Sequence, residues 1–100
     1  MHEREFNQLA DEVLAKIEGA ADESGVDCNR SGNVLEIEFD NESKIIVNRH
    51  DINQEIWVAA KSGGFHFSYS NGAWISQRNG DELYAKLQAL FAEQGEEISF

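Results

Sequence analysis

The stretch from Glu3 to Asp27 carries the longest helical pattern in the chain, and every other segment has to be arranged around it. At about 100° per residue, Phe6, Leu9, Ala10, Val13, Ile17 and Ala20 fall within one arc. Their i, i+3, i+4, i+7 spacing is that of a stripe buried against a core. Asp11, Glu18 and Asp22 fall within roughly 40° of one another, about a third of a turn away, on the solvent side. Glu18 and Asp22 lie one turn apart, about 6 Å along the axis, close enough to share a cation, while Asp11 stands about 10 Å further back and can serve only a separate site. Like charges at i, i+4 cost an isolated helix a few tenths of a kcal/mol. Asp22, Glu23 and Asp27 also crowd the C-terminus, where the macrodipole favours cations. A solvated acidic face that keeps a small protein soluble is the plain explanation, and two local penalties at one place weigh against it.

One hundred residues make a single domain, 1–100, with a core large enough to fold unaided but not to enclose a deep pocket beside it. A protein of this size acts through its surface. The 19 acids against 8 bases give a net charge of −11, which repels nucleic acid and anionic membrane and attracts basic proteins or metal cations. Residues 1–40 hold 11 acids and 3 bases, whereas residues 44–80 set Asp51 and Glu55 against Lys44, Arg49, Lys61 and Arg78. The molecule is expected to be electrically bipolar. Cys28 is the one cysteine, the N-terminal residues lack the apolar core of a secretory signal, and no run approaches the length of a membrane span. The cytoplasm is the expected compartment.

After the helix, Asp22-Glu23-Ser24-Gly25 is a polar stop, and Val26-Asp27-Cys28 begins an extended segment before a turn at Arg30-Ser31-Gly32-Asn33. Leu35, Ile37 and Phe39 alternate with Glu36, Glu38 and Asp40, the period-two pattern of a half-buried strand. A turn at Asp40-Asn41-Glu42 leads to a second strand at 44–49, with Ile45 and Val47 inward and Ile46 and Asn48 outward. In a third strand, 54–60, the core pair Ile56 and Val58 forces Trp57 onto the opposite, exposed face. Ser62-Gly63-Gly64 is a flexible turn, and Phe65, Phe67 and Tyr69 then alternate with His66 and Ser68, His66 pointing outward. Asn71-Gly72 is a hairpin signal leading to a short fifth strand at Ala73-Trp74-Ile75. Asp81 is the expected N-cap of a second helix with Leu83, Tyr84, Leu87, Leu90 and Phe91 as its stripe and Gly95 as its stop. The order αβββββα predicts an α+β, two-layer sandwich: two helices on one face of an antiparallel sheet of about five strands, the other face open.

His2, His50 and His66 have no paired ligand spacing, which argues against zinc. No Gly-x-Ser-x-Gly elbow accompanies the serines, and Gly63-Gly64 alone makes no phosphate loop. Cys28 lies among acids that raise its pKa and blunt it as a nucleophile. Asn48 and Trp57, outward on adjacent strands, form a polar and aromatic patch suited to anchoring a protein partner. The alternative is a tryptophan screened by its neighbours, and both readings stand.

The order of elements, the acid-rich first helix, Ser43-Lys44-Ile45-Ile46-Val47-Asn48-Arg49, then Gln54-Glu55-Ile56-Trp57-Val58-Ala59 and Ser62-Gly63-Gly64-Phe65-His66-Phe67 resemble the frataxin family over essentially the whole chain. The resemblance implies an iron-binding protein of iron-sulfur cluster assembly that contacts a cysteine desulfurase and its scaffold partner. It implies that an acidic ridge binds Fe2+ or Fe3+ weakly and also meets the desulfurase. By position that ridge is Asp11, Glu18, Asp22, Glu23, Asp27 and Asp40, with Glu3 as a further member. Glu18, Asp22, Asn48 and Trp57 are the implied partner-binding residues, on a monomer that metal can drive to oligomerise. Three departures stand out: a shorter, less acidic loop after the first helix, Gly19 where a carboxylate is common, and no proline before Gln54. Fewer or weaker iron sites are expected to follow. Exposed carboxylates without a closed cage suit hard cations, so Mn2+ or Ca2+ would also bind, with modest, salt-sensitive affinity. Two alternatives differ in class. A ferroxidase needs metals about 3.5–4 Å apart, and no Glu-x-x-His motif is present to hold them. A plain acidic interaction module would have no metal role.

Overall fold

The computed structural model describes residues 1–100. Helix α1 spans Glu3–Glu23 and buries Phe6, Ala10, Val13, Leu14, Ile17, Ala20 and Ala21. The stripe is wider than the sequence reading, because Leu14 and Ala21 join it and Leu9 is only half-buried. The helix ends in a Schellman motif: the Gly25 amide donates to the Asp22 carbonyl at 3.1 Å and the Val26 amide to the Ala21 carbonyl at 3.0 Å. Gly25 takes φ +77°, and Val26 is thereby turned into the core.

Six strands follow: β1 Asp27–Ser31, β2 Val34–Glu38, β3 Lys44–His50, β4 Glu55–Ala60, β5 Gly63–Ser70 and β6 Ala73–Ile75. They pair in sequence order, each antiparallel to the next. The sixth strand is β1. It absorbs Arg30 and Ser31, which the sequence reading placed in a turn, and leaves the connection to Gly32 and Asn33. At a sheet edge its inner face carries Cys28 and Arg30 instead of large aliphatics, so there is no hydrophobic alternation to read. Gly63 and Gly64 likewise lie within β5, paired with Ala60 and Ala59. Asn71 and Gly72, at φ +51° and +86°, make the expected hairpin turn, in which both residues need positive φ.

Helix α2 spans Leu83–Glu93 and buries Leu83, Leu87, Leu90 and Phe91, with Tyr84 half-buried. Its N-cap is Glu82 and not Asp81: the Glu82 carboxylate accepts from the Tyr84 and Ala85 amides at 2.9 and 3.0 Å. Strand pairing decides this. Glu82 bridges to Ile75, and the Ser76 amide donates to the Asp81 carbonyl at 2.8 Å, so the extended backbone runs one residue further than the sequence suggests. Gly95, at φ +78°, stops the helix and turns the chain so that Ile98 is buried and Phe100 meets Tyr84 at 4.8 Å between ring centroids. Both helices cover one face of the sheet, where Leu35, Ile37, Ile45, Val47, Ile56, Val58 and Phe67 meet them in one core. No helix is long and apolar enough to cross a membrane.

Candidate functional site

The buried face of β3 repeats Ile45, Val47, Arg49, and the third of these is a charge. Arg49 keeps 7% of its side chain exposed. Its Nη1 donates to Asp11 Oδ1, its Nη2 to Asn7 Oδ1, and its Nε to Asp51 Oδ1 at 3.1 Å. The guanidinium lies 5.6 Å from the centroid of the Phe6 ring. Arg30 of β1 also donates to Asp11 Oδ1, at 3.2 Å. Asp11 is therefore the knot that ties α1 to β1 and β3. One of its oxygens accepts from both guanidinium groups, and the side chain keeps 55% of its surface exposed. Strand parity held the signal for Arg49, because a residue two places beyond Val47 must share its face.

The remaining acids divide by position. Glu3 stands exposed in the first turn of α1, about 22 Å along the axis from Glu18. Glu18 is half-buried, and Asp22, Glu23, Asp27 and Asp40 are exposed. Asp27 pairs with Glu38, two residues before Asp40, so Asp27 and Asp40 lie at the end of the sheet that adjoins the C-terminus of α1. Glu18 and Asp22 both act on the half-buried Cys28 of β1. Burial first, then the charges of Glu18 and Asp22, push its thiol up to about 11. Both carboxylates thus lie within electrostatic reach of the edge strand. The last turn of α1 carries no basic residue to neutralise them.

No three of the His, Cys, Asp and Glu side chains converge closely enough to cage a metal ion. A single iron held here would take one or two carboxylate oxygens from the protein and keep its remaining waters, which fits a loosely held hard cation but not a structural centre.

On the open face, Asn48 of β3 is in register with Trp57 of β4, and Trp57 with His66 of β5. Trp57 faces away from the helices as its parity requires, but it is half-buried and not exposed. His50 stacks on one side of the indole at 4.2 Å between centroids and His66 on the other at 4.1 Å. The indole Nε1 donates to Glu55 Oε1 at 2.9 Å. Trp57 is thus screened on both ring faces by its neighbours. Pairing across strands brings the rings together, and spacing along the chain gives no sign of it. Surface recesses are shallow, and the broadest, around His2 to Gln8, has no apolar lining.

The chain is a small two-layer α+β sandwich with acids clustered toward one end of a helix and an aromatic stack on the open face of the sheet. A family model described as a frataxin-like domain matches residues 1–97. The chain is 55% identical to the iron-sulfur cluster assembly protein CyaY of Chromobacterium violaceum, covering 100% of this chain and 98% of that one. The fold superposes on the frataxin of Psychromonas ingrahamii with a TM-score of 0.90 at 40% identity, covering 99% and 97% of the two chains. A trimeric frataxin of Saccharomyces cerevisiae complexed with ferrous iron superposes with a TM-score of 0.71 at 26% identity, covering 94% and 86%. This chain belongs to the frataxin family.

Proposed function

We propose that this protein serves iron-sulfur cluster assembly in the cytoplasm as a non-enzymatic, iron-responsive regulator. Its relatives are named as iron-sulfur cluster assembly proteins, and the observation that supports the reading here is Glu18 and Asp22 one turn apart near the end of α1, with no basic residue in its last turn. Glu18, Asp22, Glu23 and Asp27 form the working surface, with Asp40 beside it and Glu3 remote from it. This surface meets the basic face of a cysteine desulfurase and holds iron weakly. Asn48 and Trp57, on the open sheet, meet the desulfurase or its scaffold partner. Iron and the desulfurase compete for the same oxygens, so loading with metal alters docking.

Double reversal, Glu18→Lys with Asp22→Lys, tests this. Both side chains reach solvent, so the fold should survive, while binding to the desulfurase in calorimetry should be abolished and should weaken steeply with salt in the parent. Undiminished binding by the reversed variant would refute the assignment. No specific observation favours a ferroxidase, because no carboxylate and histidine set gathers to hold two metals side by side.

A further inference from the structure

We propose that His50 is a proton-operated cover on one face of the Trp57 indole. The proposal rests on the docking role given to Trp57 above only for what the cover regulates.

The indole is enclosed on both faces. His50 lies over one at 4.2 Å with an interplanar angle of 3°, and His66 over the other at 4.1 Å and 6°. With Nε1–H given to Glu55, little beyond the ring's rim is left for a partner. The two covers differ in one respect. His66 is exposed, whereas His50 is half-buried and its Nδ1 is sealed from water with no hydrogen-bond partner.

A neutral imidazole tolerates that position, because its proton can reside on Nε2 and leave Nδ1 as a bare lone pair. An imidazolium does not, since both nitrogens then carry N–H. Proton uptake makes Nδ1 a charged donor with nothing to donate to, and a buried, unsatisfied charged donor is among the costliest groups a fold can hold. The opposing gain is cation–π attraction to the indole, which is small at a site partly open to water. His66 can collect that gain without stranding a donor. Acid should therefore expel His50 and leave His66 in place.

The charged groups around the stack are consistent with this direction. Glu55 lies directly across from His50 on β4, its carboxylate already accepting from Trp57 and, at 3.3 Å, from Ser68. Asp51, the next residue along, is engaged by Arg49 on the other side of the sheet. Beside His66, Arg78 and Glu55 line a common recess, a cation and an anion acting in opposite senses on that ring. Histidine is the side chain whose charge ordinarily changes between about pH 5 and 8. With His50 neutral both indole faces are covered, and with His50 charged one is open to a planar or apolar group of the partner.

The test uses the full chain, isotopically labelled, in NMR with a neutral gadolinium chelate as solvent probe. Between about pH 8 and 5, relaxation enhancement of the Trp57 ring protons should rise as one of the two covered faces is exposed. Cross-relaxation between His50 and Trp57 should disappear, and that between His66 and Trp57 should persist. Trp74, buried between Phe6 and Tyr69, should not change and serves as the internal control. His50→Phe, a ring that cannot titrate, should stay covered throughout. Persistence of both histidine contacts at pH 5 with flat enhancement would overturn the proposal. Repeating the titration with the scaffold protein separates it from the docking role. An indole that opens without any partner binding upholds the cover and removes the docking role, and partner affinity that stays constant while the indole opens refutes the regulation.

Discussion

Replacing Asp11 with alanine should loosen α1 from the sheet without touching the acidic C-terminal end of the helix. The Arg49 side chain is 7% exposed, and a hydrogen bond between charged groups in such a place contributes about 1.5–3 kcal/mol. Asp11 itself is 55% exposed, so water screens the pair and the lower end of that range applies. Its contact with Arg30, 29% exposed, adds about 0.2–1 kcal/mol. Asn7 and Asp51 would still hold the guanidinium, so the loss of about 3–5 kcal/mol that follows when a buried charge is stripped of its partner is not reached. Alanine returns about 0.5 kcal/mol through its better helix propensity. The net loss is about 1.2–2 kcal/mol, and at about 4–8 °C per kcal/mol for a domain this small the melting temperature should fall by roughly 5–16 °C. Thermal unfolding followed by circular dichroism measures it, with Glu12→Ala, the exposed neighbour that forms no ion pair, as the control. An Asp11→Ala variant as stable as Glu12→Ala would refute the reasoning. So would one that keeps its melting temperature but loses cation binding, since Asp11 would then be a ligand and not a fastener.

Gly19 lies inside α1, and a Cβ added there meets no atom within 4 Å. Gly19→Ala should therefore raise stability by about 0.8–1 kcal/mol, and Gly19→Glu should tighten cation binding at the neighbouring acids; a lowered melting temperature for the alanine variant would show hidden crowding. Alkaline pH should destabilise the fold. Burial first, then Glu18 and Asp22, raise Cys28 to about 11, and burial first, then Glu82 and Glu12, raise Tyr84 to about 12. Because the folded state holds both protons more tightly, this stabilisation is intact below the unfolded values near 9.0 and 10.0 and is lost as pH rises through the folded ones. Urea midpoints should be flat from about pH 7 to 9 and then decline, with the first part of the decline absent in Cys28→Ser.

Periodicity makes much of this molecule legible in the chain itself. The apolar stripe of α1, the alternation in β2 to β5, the Asn71-Gly72 turn and the glycine stops at Gly25 and Gly95 are local statements. Each is written in neighbouring residues whose sterics and burial have one common solution. The acids at Glu18, Asp22 and Glu23 were visible for the same reason, since a helix turns spacing into direction. What spacing does not encode is which residue lies across from which. The edge strand at Cys28 has no aliphatic alternation of its own and becomes a strand because β2 offers it a ladder. Asp81 yields the cap to Glu82 because a bridge to Ile75 keeps the backbone extended. Asp11 looks like a free carboxylate until the fold brings Arg49, 38 positions away, beneath it. His50, Trp57 and His66 belong to three different strands and meet only through register. Local sterics and hydrophobic periodicity act along the chain and can be read there, whereas ion pairs, stacking and screening act across it and exist only once the core has fixed the distances.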